Sequence, residues 1–188
     1  MDLSKKGKIC ARHFLMQERS YKGLVEFADG SVYEGDFAQG KPNGRGRKIF
    51  ASLEVYEGDF VDGLSNGKGV YTHPNGGRYD GDWKDDKQEG YGSETWPEGE
   101  EYKGYYSDGL KHGKGVYSWK DGSKYEGDFV RGIQEGVGTF VWSDGRKYTG
   151  GYVNGKEEGQ GIMEYTDGSM FEGIFVNGKK EGKGKYSK

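Results

Sequence analysis

One aromatic position recurs through most of this chain at a fixed interval. Tyr33, Tyr56, Tyr79, Tyr102, Tyr125, Tyr148 and Phe171 stand 23 residues apart (33 to 56, 56 to 79, and so on). Each opens a phrase such as Tyr33-Glu34-Gly35-Asp36-Phe37 or Tyr125-Glu126-Gly127-Asp128-Phe129. A period of this length denotes stacked copies of one small supersecondary unit. It excludes a single irregular globule and turns the functional question toward binding surfaces.

Residues 125–147 show what one unit is. Tyr125, Gly127 and Phe129 alternate with Glu126 and Asp128, the period of two of a strand with a ring-bearing face and a charged face. A turn is expected from Gly132 through Gln134-Glu135-Gly136. Gly138, Phe140 and Trp142 follow at the same spacing as a second strand, and Ser143-Asp144-Gly145 closes the unit. Asp-Gly between alternating strands is a strong hairpin signal, because such turns need positive φ. Gly127, between two rings on one face, lets neighbouring rings lie flat over the backbone.

Composition agrees with a thin structure. Hydrophobic residues make up 31% of the chain, too few to fill the space between the two layers of a sandwich. Glycine supplies 37 residues and aromatics 15%, so rings over bare backbone take the place of an aliphatic core. Aromatic richness also argues against disorder. The expected fold class is all-β: an elongated single-layer antiparallel sheet of tandem β-hairpins.

The repeats differ in places that matter. Leu53 stands where Gly76, Gly99, Gly122, Gly145 and Gly168 occur, and Asp86 replaces the glycine seen at Gly63 and Gly109. Tyr105, Gly151 and Ile174 replace the second acid. Uniform positions are expected to build the sheet and variable ones to choose partners. Upstream, residues 10–32 read as a degenerate capping repeat, with Phe14 in the place of Phe37, Gly23 in that of Gly46, and Asp29-Gly30 as the closing turn. The expected organisation is a basic tail over 1–9, the cap over 10–32, and seven repeats over 33–188, the last incomplete.

The phrase Tyr-Glu-Gly-Asp-Phe-x-x-Gly-x-x-x-Gly-x-Gly-x-x-x-x-x-Asp-Gly, in seven in-phase copies, resembles the MORN repeat (membrane occupation and recognition nexus). The resemblance implies an elongated antiparallel sheet with an aromatic-lined groove. It also implies scaffold, adaptor or targeting roles, often in cilia, flagella and other cytoskeletal structures. Some members carry a lipid kinase or methyltransferase domain, for which residues 1–188 leave no room.

Catalytic motifs are absent. Gly63 to Gly69 looks like a phosphate-binding loop, but its spacing is wrong and no Ser or Thr follows the lysine. Cys10, His13, His73 and His112 lack the spacing of a nucleophile pair or a zinc site. The Asp-Gly turns lack the alternating oxygen ligands of a calcium loop. The chain is therefore expected to be no enzyme and to use no cofactor or metal.

The candidate site is the ring stripe: Tyr56, Phe60, Tyr79, Trp83, Tyr102, Tyr106, Tyr125, Phe129, Tyr148 and Tyr152. Lacking a second layer, this face is expected to act partly as packing and partly as a groove for a helical or extended protein segment, an amphipathic helix in particular. Basic ends, with Lys5, Lys6 and Lys8 at one and Lys179, Lys180, Lys183 and Lys185 at the other, suit acidic partners or weak contact with lipid headgroups. A net charge of −3 opposes general nucleic-acid binding. Exposed strand edges leave homo-oligomers open. One cysteine and no N-glycosylation sequon fit a cytoplasmic protein, on the cytoskeleton or cilium if the resemblance holds. The expected function is a scaffold or adaptor. The alternatives are a peripheral membrane or phosphoinositide adaptor and a free-standing regulatory subunit of a separate enzyme.

Overall fold

The computed structural model describes residues 20–188. Among them are fifteen antiparallel strands and no helix. The chain divides into two compact units, Met1–Gln88 and Glu89–Lys188. The first contains β1 (Tyr21–Glu26), β2 (Val32–Ala38), β3 (Lys41–Ile49), β4 (Val55–Val61), β5 (Leu64–Thr72) and β6 (Arg78–Lys84). Each pairs antiparallel with the next in sequence. The second is built from β7 (Lys87–Thr95), β8 (Glu101–Ser107), β9 (Leu110–Ser118), β10 (Lys124–Val130), β11 (Ile133–Val141), β12 (Lys147–Val153), β13 (Lys156–Glu164), β14 (Met170–Val176) and β15 (Lys179–Ser187), paired in the same way.

Two turns alternate. Within a repeat, two residues suffice: Val61 pairs with Leu64 across Asp62 and Gly63, whose φ values are 51° and 92°. Positive φ at both central residues is the type I′ turn that matches strand twist. Between repeats, Gly122 N–H donates to Trp119 O and Trp119 N–H to Ser123 O, a type I turn closed by a residue in the left-handed region. Leu53 makes the same turn with the same two hydrogen bonds, held at φ 74°. Asp86 takes φ 65° at its glycine position, where its carboxylate accepts the Ser65 N–H at 2.7 Å.

One expectation needs correcting. The turn predicted over Gly132–Gly136 is confined to Arg131 and Gly132, and Gln134, Glu135 and Gly136 lie in β11. Gly127 pairs with Gly138 while Asp128 pairs with Glu135, so Gly136 and Val137 form a bulge. Gly136 has φ 69°, and a bulge uses a left-handed glycine as a turn does, which is why the sequence reads alike. The look-alike phosphate loop is this same turn and bulge: Gly63 sits in the turn and Gly67, at φ 62°, in the bulge of β5.

Each unit buries one face with rings. Tyr125 lies over Gly138, whose Cβ, if present, would sit 2.5 Å from the ring. The rings interleave edge to face: Tyr56 contacts Phe60 of its own strand at 5.1 Å and Trp83 of β6 at 5.1 Å. Tyr125 contacts Phe129 at 5.2 Å and Tyr152 of β12 at 5.0 Å. Edge-to-face pairs contribute about 0.5–1.5 kcal/mol each beyond burial. In the first unit Tyr33, Phe37, Tyr56 and Phe60 form the core, with Phe50 and Tyr71 among the rings against it.

Candidate functional site

The predicted stripe is this core. Tyr56, Tyr102, Tyr125 and Tyr148 have no exposed surface, and Phe60, Tyr79, Tyr106, Phe129 and Tyr152 are also buried. Trp83 is half-buried, and its indole N–H donates to Gly69 O at 3.0 Å. The structure brings these ten residues together within their units but leaves almost none of their surface open. The open groove expected there assumed that a face without a second layer stays uncovered. Flat packing over glycine and interleaving between repeats close it instead.

The phenols are tied inward. Tyr33 donates to Asp36 O at 2.8 Å, Tyr125 to Asp128 O at 3.0 Å and Tyr148 to Gly151 O at 3.1 Å. Burial, which opposes the charged phenolate, pushes Tyr33 and Tyr148 up to about 12 and raises Tyr56, Tyr102, Tyr125 and Tyr152 as well. None is set up to act as a proton donor or nucleophile near neutrality.

Of the basic candidates, Lys5, Lys6 and Lys8 lie outside the described residues. Lys179, Lys183 and Lys185 are exposed on β15. Lys180 is engaged within the chain: its ammonium stands over Phe171 at 4.3 Å, Tyr165 at 4.9 Å and Tyr186 at 5.1 Å. Burial pulls its pKa down, but hydrogen bonds to the Tyr165 and Tyr186 hydroxyls outweigh that and raise it. Lys111, three repeats earlier, is held likewise over Trp96 at 4.6 Å, with Glu94 at 3.5 Å.

The opposite face of each sheet is bare, and a row of side chains crosses it. In the first unit the row pairs charges: Arg45 with Asp59 at 4.0 Å, and Lys68 with Asp82 at 2.6 Å. Lys114 and Asp128, 2.7 Å apart, repeat the pattern in the second unit and hold the Asp128 carboxyl below its ordinary range. The acid also ties down the bulge, since Asp128 Oδ2 accepts the Val137 N–H at 3.1 Å. Elsewhere in the second unit the charged pair is replaced as a pair. Tyr91 faces Tyr105, Val137 faces Gly151, and Gln160 faces Ile174. Tyr91, Tyr105 and Val137 are all at least half exposed, at 50%, 52% and 61%.

Tyr91, Val116 and Val137 were not among the predicted site residues. The sequence did carry a signal for Tyr91 and Val137. Each departure from the second acid (Tyr105, Gly151, Ile174) is matched 14 residues earlier by loss of the base. That pairing becomes legible only once the register is known.

The MORN repeat family model matches residues 33–53, 56–78, 79–101, 102–124, 125–145, 148–170 and 171–188. The chain is a MORN-repeat protein. A comparison with curated proteins finds no match. Among solved structures, this MORN-repeat chain is similar to the TCP domain of SAS-4 (dCPAP) of Drosophila melanogaster, in complex with a proline-rich motif of Ana2. The TM-score is 0.50 at 11% identity, covering 82% of this chain and 88% of that one. The G-box domain of the microcephaly protein CPAP matches with a TM-score of 0.42 at 14% identity, covering 89% and 99%. At 11% identity the likeness to the SAS-4 domain is one of fold alone. Among the described residues no group of three or more His, Cys, Asp or Glu is placed to hold a metal ion.

Proposed function

We propose that this MORN-repeat protein is a non-enzymatic scaffold whose open sheet face holds a segment of a protein partner, within a cytoskeletal or ciliary assembly. The observation that carries the reading is the division of labour between the two faces. Uniform residues fill the ring core, while the bare face of the second unit keeps the Lys114–Asp128 pair but replaces the others, exposing Tyr91, Tyr105 and Val137. Exposed tyrosines and aliphatics suit protein interfaces, offering area at small entropic cost. The SAS-4 domain, similar in fold, is in complex with a proline-rich motif, which supports an extended segment over a helix. The cytoskeletal setting follows from what MORN membership implies.

A photo-crosslinking residue placed at Val137, in cells, tests this. Leu53, 68% exposed on a turn of the other unit, serves as the control position. The expected result is one or a few cytoskeletal proteins joined at position 137 and not at 53. Equal, diffuse labelling at both positions would remove the basis for a partner-binding face.

A further inference from the structure

We infer that the open face of the second unit carries a trough built for a proline-rich segment bearing acidic residues; this rests on the scaffold reading above. The trough has a volume of about 750 Å³ and crosses the strands instead of following them. Its floor is backbone at Gly104, Gly115, Gly127 and Gly138, which pair as Gly104 with Gly115 and Gly127 with Gly138. One wall carries Tyr105, Lys114 and Val137, the other Lys103, Val116 and Thr139. The walls are two residues apart on each strand, about 6.4–6.8 Å. An α-helix, about 10–12 Å across with its side chains, does not fit between them. An extended backbone, which needs about 4.8 Å beside a neighbour, is narrower than that spacing.

The floor narrows the choice further. Its peptide groups belong to strands already paired on both sides, and a segment crossing at right angles cannot join that ladder. An ordinary peptide laid there would cover N–H groups without partners. Proline has no N–H, and a polyproline II segment is extended before it binds. Tyr91 and Tyr105, edge to face at 5.5 Å, give pyrrolidine rings an aromatic wall. From β7 to β11 is four strand spacings, about 19 Å, which about six residues span at 3.1 Å each.

Charge selects the rest of the partner. Lys103, Lys114 and Lys147 line the trough with Glu126, and Lys103 and Lys114, 52% and 69% exposed, stand further into solvent than the carboxylates they pair with, at 35% and 30%, so an occupant meets their ammonium groups first. The lysines pair with Glu101, Asp128 and Glu164 at 2.6–2.7 Å, but all three remain substantially exposed. Such surface pairs hold their partners weakly, so an incoming carboxylate can share the ammonium. The occupant is therefore proline-rich and acidic.

The test uses the full chain and a fluorescein-labelled peptide of about nine residues repeating Pro-Pro-Glu, long enough to overrun the trough. Two peptides of equal length, Pro-Pro-Lys and Gly-Ser-Glu repeats, separate proline from charge. Saturable anisotropy is expected for Pro-Pro-Glu only, weakening as salt rises. A Tyr91→Lys/Tyr105→Asp variant restores the first unit's own pattern and is expected to stay folded by circular dichroism while affinity falls at least tenfold. Val137→Asp, a single exposed change, gives the same readout should the double variant unfold. Equal binding of Gly-Ser-Glu, unchanged affinity in the folded variants, or no saturable binding would overturn the trough. The crosslink at Val137 separates the two ideas. A crosslinked partner with no Pro-Pro-Glu binding refutes the trough and leaves the scaffold standing, whereas loss of both refutes both.

Discussion

Replacing Gly138 with alanine tests the packing on which every other inference depends. Gly138 has ordinary strand φ, so alanine is conformationally acceptable there. In the absence of a steric clash, fewer unfolded conformations should make Gly→Ala stabilising by about 0.4–1 kcal/mol. The structure predicts the opposite sign. A Cβ on Gly138 would stand 2.5 Å from Tyr125 Cε2 and from its hydroxyl oxygen, and 2.6 Å from Cζ. Ordinary carbon contacts need about 3.5–4.0 Å, so the ring would have to move by about 1 Å or more. It has nowhere to go: it is fully buried, with Phe129 and Tyr152 at 5.2 and 5.0 Å. Overpacking of this kind costs about 1–3 kcal/mol. Dragging the phenol off Asp128 O adds about 1 kcal/mol. The net expectation is destabilisation by about 2–3 kcal/mol, or a urea midpoint lowered by about 1 M at a typical slope near 2 kcal/mol/M. Far-UV circular dichroism and tryptophan fluorescence report the transition. Gly23→Ala is the control, since a Cβ there would meet nothing among the described residues closer than Phe37 Cε2 at 3.2 Å, and a change within about 1 kcal/mol is expected. An unchanged or raised midpoint for Gly138→Ala would mean that the rings are not held against the glycines, and the closed core would have to be abandoned.

Other outcomes follow from the same geometry. Leu53→Gly should raise stability by about 1 kcal/mol, because Leu53 pays for φ 74° and, being largely exposed, buries little; a thermal melt shows it, and a lower Tm would contradict it. Tyr106→Phe should cost about 1–2 kcal/mol, since its hydroxyl donates to Glu94 at 3.0 Å beside Lys111. Tyr152→Phe, at the same repeat position, should be neutral or stabilising by up to about 1 kcal/mol, because its buried hydroxyl has no partner among the described residues. Equal losses in denaturant titrations of the two would refute the distinction. The buried phenols also predict an alkaline limit. With folded values near 12 for Tyr33 and Tyr148 against an ordinary 10, the folded state keeps protons that the unfolded chain releases. Stability should be full below about pH 10 and fall as pH rises toward 12, and melts flat across that window would show the phenols to be accessible.

Much of the fold was legible in the sequence because a repeat states its own rules many times over. The 23-residue period, the alternation around Gly127 and the Asp-Gly turns determined an all-β chain of hairpins, and the ring positions determined what would be stacked. Exposure was another matter. Tyr56 is covered partly by Trp83, a strand pair away, and no pattern within one repeat states that contact. Register was equally hidden, because the left-handed glycines of turn and bulge look alike in sequence; Arg131-Gly132 turns while Gly136 only bulges. Only with the bulge placed do Lys68 and Asp82, or Tyr91 and Tyr105, become neighbours. The sequence determined which residues repeat and which depart from the pattern. The tertiary structure decided which face the rings close and which face stays open, because burial in a sheet is set by cross-strand neighbours, not by neighbours along the chain.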